Sequence, residues 1–104
     1  MDINVQELKQ KLDAKEEFVF IDVREPHEYQ EFNLGAELIP LGTLPEHVNK
    51  FEDSKDKEVV VHCRSGGRSA NAQAFLQQQG FKNVRNLTGG VLAWIENYGS
   101  AKVS

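Results

Sequence analysis

The sequence predicts an α/β fold with a mostly parallel β-sheet, and three observations support this prediction. Helix and strand signals alternate along the 104 residues, which is typical of a parallel sheet covered by helices. The segment "EVVVH" at residues 58–62 has three adjacent valines without polar alternation, as expected of a strand buried on both faces. The chain length falls within the usual size of a single domain. We therefore expect residues 1–104 to form one domain.

An opening helix is predicted at the start of the chain. Asn4 and Glu7 have the spacing of a capping box, in which two side chains satisfy the first N–H groups of a helix. The apolar residues that follow at helical spacing are Val5, Leu8 and Leu12. Because they share one face, the pattern predicts a short amphipathic helix.

Two strands and two helices are predicted next. The apolar, β-rich segment "FVFID" at residues 18–22 predicts a strand. Pro26 suits the first turn of a short helix that covers residues 27–32. Residues 36–41, "AELIPL", predict a weaker strand, and residues 44–51 predict a helix with its apolar side chains on one face.

The remaining elements follow the "EVVVH" strand. A helix is predicted from the paired glycines to Gln79, with Gly80 as its C-terminal stop. Residues 83–87, "NVRNL", predict a short strand. Residues 89–99 predict a closing helix with Trp94 packed inward.

Composition excludes several classes of protein. The formal charge of -4 and the pI near 5.3 argue against a nucleic-acid surface, which normally has a basic face. No apolar stretch approaches membrane-spanning length, and the N-terminus has no signal-peptide pattern. The single cysteine rules out an internal disulfide, and no cysteine and histidine cluster has zinc-ligand spacing. We expect a cytoplasmic monomer with no nucleic-acid or membrane partner, no metal and no cofactor.

The only cysteine lies in the segment "VVVHCRSGGRS" at residues 59–69. Cys63 follows a predicted strand, and ligands of open α/β sheets bind beyond the carboxyl ends of strands. The glycine pair and the next helix start can turn several N–H groups toward one point. Such donors and nearby guanidinium groups lower a cysteine pKa. A free cysteine is often only a small buried side chain, but that role needs no arginines and glycines beside it, so we expect Cys63 to be a nucleophile.

Four segments carry a resemblance to a known family. "CRSGGRS" resembles the active-site loop of rhodaneses, which are sulfurtransferases that carry a cysteine persulfide. "IDVREPHEY", "GAELIPL" and "LTGGVLAW" are similar to other rhodanese segments in the same order. The resemblance covers nearly the whole chain and implies a single-domain rhodanese. It also implies a three-layer fold with a central, mostly parallel five-stranded sheet flanked by helices.

Loop length separates sulfur transfer from its strongest alternative, a cysteine phosphatase or arsenate reductase. The phosphatase pattern has five residues between cysteine and arginine, which makes the loop wide enough for a tetrahedral phosphate. Here four residues separate Cys63 from Arg68. The shorter loop favours binding of a single terminal sulfur atom over binding of a phosphate. A non-catalytic rhodanese-like binding module remains open as a third reading, although the intact cysteine and arginines count against it.

The resemblance implies a two-step mechanism. Cys63 takes the outer sulfur of thiosulfate, releases sulfite and holds the sulfur as a persulfide. A polysulfide is the alternative small-molecule donor. The persulfide then passes to a thiophilic acceptor such as cyanide, a thiol or a sulfur-carrier protein.

We assign roles to the residues around the nucleophile. The active-site loop supplies the binding residues, which are Arg64, Ser65, Gly66, Gly67, Arg68 and Ser69. Arg64 is expected to bind the sulfonate end of thiosulfate, since it directly follows the nucleophile, and Arg68 is expected to hold the loop. The resemblance implies that Asp22 pairs with an arginine and that Arg24 supports the loop from behind.

Three polar side chains near the nucleophile have less specific assignments. The hydroxyls of Ser65 and Ser69 can donate to the sulfur or cap the new helix, and the sequence favours neither role. His62 precedes Cys63 on a strand, where adjacent side chains point to opposite faces. We therefore expect a structural or surface role for His62 and not that of a general base.

The chain departs from the usual rhodanese pattern in one segment. Many members have Gly-His-Ile before their Gly-Ala pair, whereas residues 31–33 here are Glu, Phe and Asn. Domains attached to adenylyltransferases that activate sulfur-carrier proteins resemble the chain better at this point. The departure bears on the acceptor and leaves the nucleophile loop unchanged.

Overall fold

The computed structural model describes residues 2–100 and contains a parallel sheet. Its strands are β1 (Val19–Asp22), β2 (Glu37–Leu38), β3 (Glu58–His62) and β4 (Asn83–Asn86). They lie in the order β2-β1-β3-β4, and every neighbouring pair is parallel. The carboxyl ends of β1, β3 and β4 therefore meet at one edge of the sheet.

Helices connect the strands and cover both faces of the sheet. They are α1 (Val5–Asp13), α2 (Pro26–Glu31), α3 (Leu44–His47), α4 (Gly67–Gln78) and α5 (Gly90–Tyr98). Each predicted helix is present, and the predicted three-layer α/β arrangement is confirmed. The side chain of Asn4 caps α1 by accepting a hydrogen bond from the N–H of Glu7 at 2.8 Å, which is one of the two bonds of the predicted capping box.

The sheet has four strands within residues 2–100 where five were expected. The fifth position is reduced to one parallel bridge between Ile3 and Leu87. Ile3 donates to the carbonyl of Asn86 at 3.0 Å and accepts from the N–H of Thr88 at 2.8 Å. Because α1 begins at Val5, the segment before it is too short to form a ladder.

The predicted helix over residues 44–51 is only partly α-helical. After the single turn of α3, the chain tightens into a 3₁₀-helix over Val48–Ser54. The apolar side chains still face the core, because residues three apart share a face of a 3₁₀-helix. Val48 is buried, and Phe51 packs against the same cluster.

The valines of β3 divide the interior into two apolar clusters. Val59 and Val61 join the cluster under α3 and α4, whereas Val60 joins the cluster under α1 and α5. Trp94 of α5 lies in the second cluster, as predicted. Burial on both faces explains why the strand lacks polar alternation.

The helices of residues 2–100 do not include a segment of the length and apolar character needed to cross a bilayer.

Candidate active site

The predicted nucleophile lies directly after the carboxyl end of β3. Cys63 follows His62, the last residue of the strand, and packs on the α4 face with Val59 and Val61. Only 1% of its surface is exposed. Since α4 begins at Gly67, the sulfur faces a helix start, where N–H groups have no partner within the helix.

Three hydrogen-bond donors surround the sulfur of Cys63. The backbone nitrogen of Gly66 lies 3.1 Å from Sγ, the backbone nitrogen of Ser69 3.4 Å, and the Ser69 hydroxyl oxygen 3.3 Å. Burial alone raises the pKa of the Cys63 thiol, but these donors and the N–H of Ser65 outweigh it, so the pKa is lowered. The donors of the loop therefore stabilise the thiolate, which is the nucleophilic form.

Gly66 provides the turn that brings these donors together. Its φ of 115° lies in the region that side-chain-bearing residues rarely adopt. In this conformation its N–H points at the sulfur, while its carbonyl accepts the N–H of Ala70 at 3.0 Å. The first of the paired glycines is therefore required by backbone geometry.

Arg68 is held by a carboxylate of α2. Its Nη1 and Nη2 donate to the two oxygens of Glu28 at 2.7 and 2.9 Å. The hydrogen bonds from Arg68 lower the pKa of Glu28 to about 2. This bidentate pair joins the loop to α2 and engages both terminal nitrogens of the guanidinium. The sequence could not identify Glu28, because its partner lies 40 positions away.

Arg64 has a different environment from Arg68. It is exposed, and within residues 2–100 its guanidinium has no hydrogen-bond or ion-pair partner. It lines a cleft of about 250 Å³ at the carboxyl end of the sheet. The other lining residues are Arg24, Glu28, Glu31, Phe32, Val91, Leu92 and Ile95. A cation is thus available at an open cleft beside the nucleophile loop.

Asp22 and Arg24 form a buried ion pair at the end of β1. Arg24 Nη2 donates to Asp22 Oδ2 at 2.8 Å, and Nε lies 3.1 Å from both carboxylate oxygens. Arg24 also donates to the carbonyl of Phe32 at 2.7 Å. The pair therefore links the end of β1 to the segment after α2, next to the cleft.

The start of α5 holds the backbone of the nucleophile loop. The N–H groups of Val91 and Leu92 donate to the carbonyls of Cys63 and Arg64, both at 3.0 Å. Gly90 makes this approach feasible, because a Cβ there would lie 2.5 Å from the Cys63 oxygen and 2.6 Å from the Arg64 oxygen. Gly89 and Gly90 were identified from the sequence only because "LTGGVLAW" resembles a rhodanese segment. That resemblance does not show what these glycines contact.

Asn86 contacts the nucleophile loop but was not predicted from the sequence. It ends β4, is 8% exposed, and bonds Ser69 through Oδ1 at 2.6 Å and the carbonyl of Gly66 through Nδ2 at 3.2 Å. The available signal was a polar residue at the end of a strand, between the buried Val84 and Leu87. Such a residue at a carboxyl edge needs a buried partner.

His62 lies on the opposite face of the sheet from the sulfur. It is fully buried, and its ring centroid lies 5.4 Å from that of Phe20 in the α1 and α5 cluster. Burial lowers the pKa of His62 despite Asp22, whose Oδ2 is 3.6 Å from Nε2. Burial therefore favours the neutral imidazole, and the ring lies on the opposite face of the sheet from the sulfur.

A larger cleft, of about 440 Å³, lies at the amino-terminal ends of β1 and β3. Its lining consists of Glu17, Phe18, Val19, Ser54, Lys57 and Glu58. It is remote from the only cysteine, so volume alone does not identify the reactive site. Among the described residues, no group of three or more histidine, cysteine or acidic side chains is arranged to hold a metal ion.

Comparisons with known proteins agree on one family. The family model described as "Rhodanese-like domain" matches residues 4–97. "Putative sulfurtransferase YtwF" of Bacillus subtilis is 44% identical over 89% of this chain and 88% of its own length. A protein named "Sulfurtransferase" from Allochromatium vinosum is 38% identical over 89% of this chain and 86% of its own. The crystal structure of a rhodanese-like domain protein from Staphylococcus aureus superposes with a TM-score of 0.81, at 33% identity, over 90% of this chain and 91% of the other.

Proposed function

Because the chain belongs to the rhodanese-like domain family, and its homologues support sulfurtransferase activity, we propose that it is a thiosulfate sulfurtransferase. It carries sulfur as a persulfide on Cys63, within one domain made of residues 1–104. The observation that carries the proposal is the trio of donors on the Cys63 sulfur at 3.1 to 3.4 Å. These donors stabilise negative charge on Sγ, both in the thiolate that attacks the donor and in the thiolate that leaves when the sulfur is passed on.

In the loading step, the thiolate of Cys63 attacks the outer sulfur of thiosulfate. A new S–S bond forms, the bond between the two sulfurs of thiosulfate breaks, and sulfite leaves with the electron pair. The outer sulfur then lies about 2 Å beyond Sγ. The exposed guanidinium of Arg64 supports binding of the sulfonate, since a charge-assisted hydrogen bond fits an anionic oxygen.

In the unloading step, a nucleophilic acceptor attacks the outer sulfur of the persulfide. The S–S bond breaks, and Cys63 leaves as the thiolate that began the cycle. Cyanide is the convenient laboratory acceptor, while a thiol or a sulfur-carrier protein is the proposed cellular one. A free thiol nucleophile suits a reducing compartment, so the proposal includes a cytoplasmic location.

The geometry favours sulfur transfer over phosphate chemistry. A cysteine phosphatase closes its anion loop with the arginine that ends the motif. Here both terminal nitrogens of Arg68 are engaged by Glu28, so this guanidinium is committed to α2. A tetrahedral phosphate would therefore lack the arginine that closes the loop of a cysteine phosphatase.

The intact mass of the purified protein tests this proposal. After incubation with thiosulfate and desalting, the mass should rise by one sulfur atom and return to its original value with a reductant. Cys63→Ser is the matched control and should show no gain. If the wild-type protein gains no sulfur from either thiosulfate or a polysulfide, the sulfurtransferase proposal is wrong and the binding-module reading gains support.

A further inference from the structure

Asn86 contacts two residues of the nucleophile loop, and each of these residues also contacts the sulfur of Cys63. Its Oδ1 lies 2.6 Å from the hydroxyl oxygen of Ser69, and its Nδ2 donates to the carbonyl of Gly66 at 3.2 Å. Gly66 and Ser69 are the residues whose donors face the sulfur of Cys63. Asn86 thus reaches the nucleophile through its hydrogen-bond partners.

The Ser69 hydroxyl has more acceptors than protons. A hydroxyl carries one proton, and three acceptors lie within reach: Asn86 Oδ1 at 2.6 Å, the Gly66 carbonyl at 3.2 Å and Cys63 Sγ at 3.3 Å. The shortest of these contacts leads to Asn86. A thiolate at Cys63 and the amide of Asn86 therefore compete for the same proton.

The orientation of the Asn86 amide is fixed by its second contact. If the amide were rotated by half a turn, its oxygen would face the carbonyl oxygen of Gly66 at 3.2 Å, with no proton between them. The observed orientation places Nδ2 against that carbonyl and turns Oδ1 toward Ser69. Asn86 consequently acts as an acceptor for the Ser69 hydroxyl.

We propose that Asn86 is a positioning residue that draws the Ser69 proton away from the Cys63 sulfur and so weakens the hydroxyl's share of the three hydrogen bonds to that sulfur. The inference rests on the proposed function, because it concerns the nucleophile of that reaction. A sulfur with fewer donors is a more basic thiolate. A more basic thiolate attacks faster in the loading step and leaves more slowly in the unloading step. Asn86 therefore sets the balance between the two half-reactions.

Charged groups on neighbouring elements stay constant in the test. Those around the loop and Asn86 are Arg64, the Arg68 pair with Glu28 of α2, the Asp22 pair with Arg24 after β1, and Asp2, whose Oδ1 accepts from the N–H of Asn86 at 3.3 Å. His62 lies on the other face of the sheet. Replacing Asn86 with leucine changes no formal charge, so any shift reports the hydrogen bonds.

The first measurement is the ultraviolet absorbance of the thiolate as a function of pH in the reduced protein. The chain has a single cysteine, so the titration reports Cys63 alone. In Asn86→Leu the Ser69 proton becomes available to the sulfur, and we expect the Cys63 pKa to fall by about one unit. In the isosteric Asn86→Asp, the acceptor is kept and a negative charge is added, so the pKa should rise.

Ser69→Ala supplies the matched background. Without the hydroxyl there is no proton to compete for, so adding Asn86→Leu should leave the Cys63 pKa where Ser69→Ala puts it. An equal shift in both backgrounds would overturn the proposal, and so would the absence of any shift when Ser69 is present. If Asn86→Leu does not fold, Asn86→Asp carries the test, and an unchanged or lowered pKa in that variant overturns the proposal.

The two half-reactions give a readout that a purely structural role would not move. At a pH above the Cys63 pKa, Asn86→Leu should load sulfur from thiosulfate about threefold more slowly and pass it to cyanide about threefold faster. If both rates fall together, Asn86 merely maintains the loop. The titration needs no sulfur donor, so failure of the wild-type protein to load sulfur would refute the proposed function and leave the titration to decide the role of Asn86.

Discussion

The two arginines of the nucleophile loop illustrate how neighbours of the same residue type acquire different roles. Arg68 is bound on both terminal nitrogens by Glu28, whereas the guanidinium of Arg64 is exposed at a cleft and has no partner among residues 2–100. Only the second guanidinium is available for an anionic substrate. The two proposed roles, support of the loop by Arg68 and binding of the sulfonate by Arg64, follow from these contacts.

Arg64→Ala tests this division. We expect KM for thiosulfate to rise about tenfold, because one charge-assisted hydrogen bond to the sulfonate is lost. Transfer from a polysulfide, which has no sulfonate, should change much less. Steady-state kinetics with both donors measures the difference, and equal losses with the two donors would show that Arg64 does not bind the sulfonate.

At the scale of elements, α2 and α5 fix the loop from two sides. Glu28 of α2 binds the side chain of Arg68, and the first N–H groups of α5 bind the carbonyls of Cys63 and Arg64. The loop is therefore positioned by helices that are distant in sequence. Changes at either helix should alter stability as well as sulfur transfer.

Glu28→Gln tests the contact with α2. Because the folded pKa of Glu28 is about 2 and the unfolded value is about 4.3, the pair stabilises the protein above the unfolded pKa. This contribution disappears as the pH falls toward 2. Urea unfolding at neutral pH should show a loss of about 1 kcal/mol in Glu28→Gln and a weaker acid dependence between these limits. The control is Glu31→Gln, an exposed carboxylate of the same helix, and a loss of equal size there would contradict the role of the pair.

Gly90→Ala tests the contact with α5. Its φ of 57° disfavours a side chain, and the new Cβ would lie 2.5 Å from the carbonyl oxygen of Cys63. We expect the free energy of unfolding to fall by about 3 kcal/mol or more. Gly35→Ala has a similar φ of 87° with nothing within 4 Å, so it should lose only about 1 to 2 kcal/mol. Equal losses in a denaturant titration would mean that the close approach of α5 contributes nothing.

At the scale of the whole molecule, most of the architecture could be predicted from local patterns. The unalternating valines of "EVVVH" identified a central strand because burial on both faces leaves no position for a polar residue. The N-cap residue Asn4 located α1 for a similarly local reason. The fifth strand was expected from the family resemblance alone, and the structure reduces it to the single bridge between Ile3 and Leu87.

The site was predictable only where its residues are neighbours in sequence. Cys63 and its loop lie in one segment, so the glycines and arginines could be read together. Glu28 and Asn86 reach the loop from 40 and 17 positions away, and no short-range pattern identifies such partners. The family resemblance implied that Asp22 pairs with an arginine, and the structure shows that this arginine is Arg24, two residues away in the same motif.

The burial of His62 leads to a prediction of how the free energy of unfolding depends on pH. Burial lowers the pKa of His62 in the folded protein. In the unfolded chain the pKa of this histidine is about 6.5, so near that pH the unfolded state binds a proton more readily than the folded state. Stability should therefore fall as the pH drops below about 6.5, by up to about 1.4 kcal/mol per pH unit. His62→Gln should flatten this decline in denaturant titrations, whereas His27→Gln, at an exposed position, should not. The same decline in both variants would show that His62 is not its source.

The most direct test of the central claim is a single turnover of the isolated persulfide. The protein is loaded with thiosulfate, freed of donor by desalting, and mixed with cyanide while thiocyanate and intact mass are followed. The account predicts one thiocyanate for each sulfur lost from Cys63, with no donor present. If thiocyanate forms only while thiosulfate remains in the mixture, the transfer does not pass through Cys63, and the persulfide mechanism is contradicted.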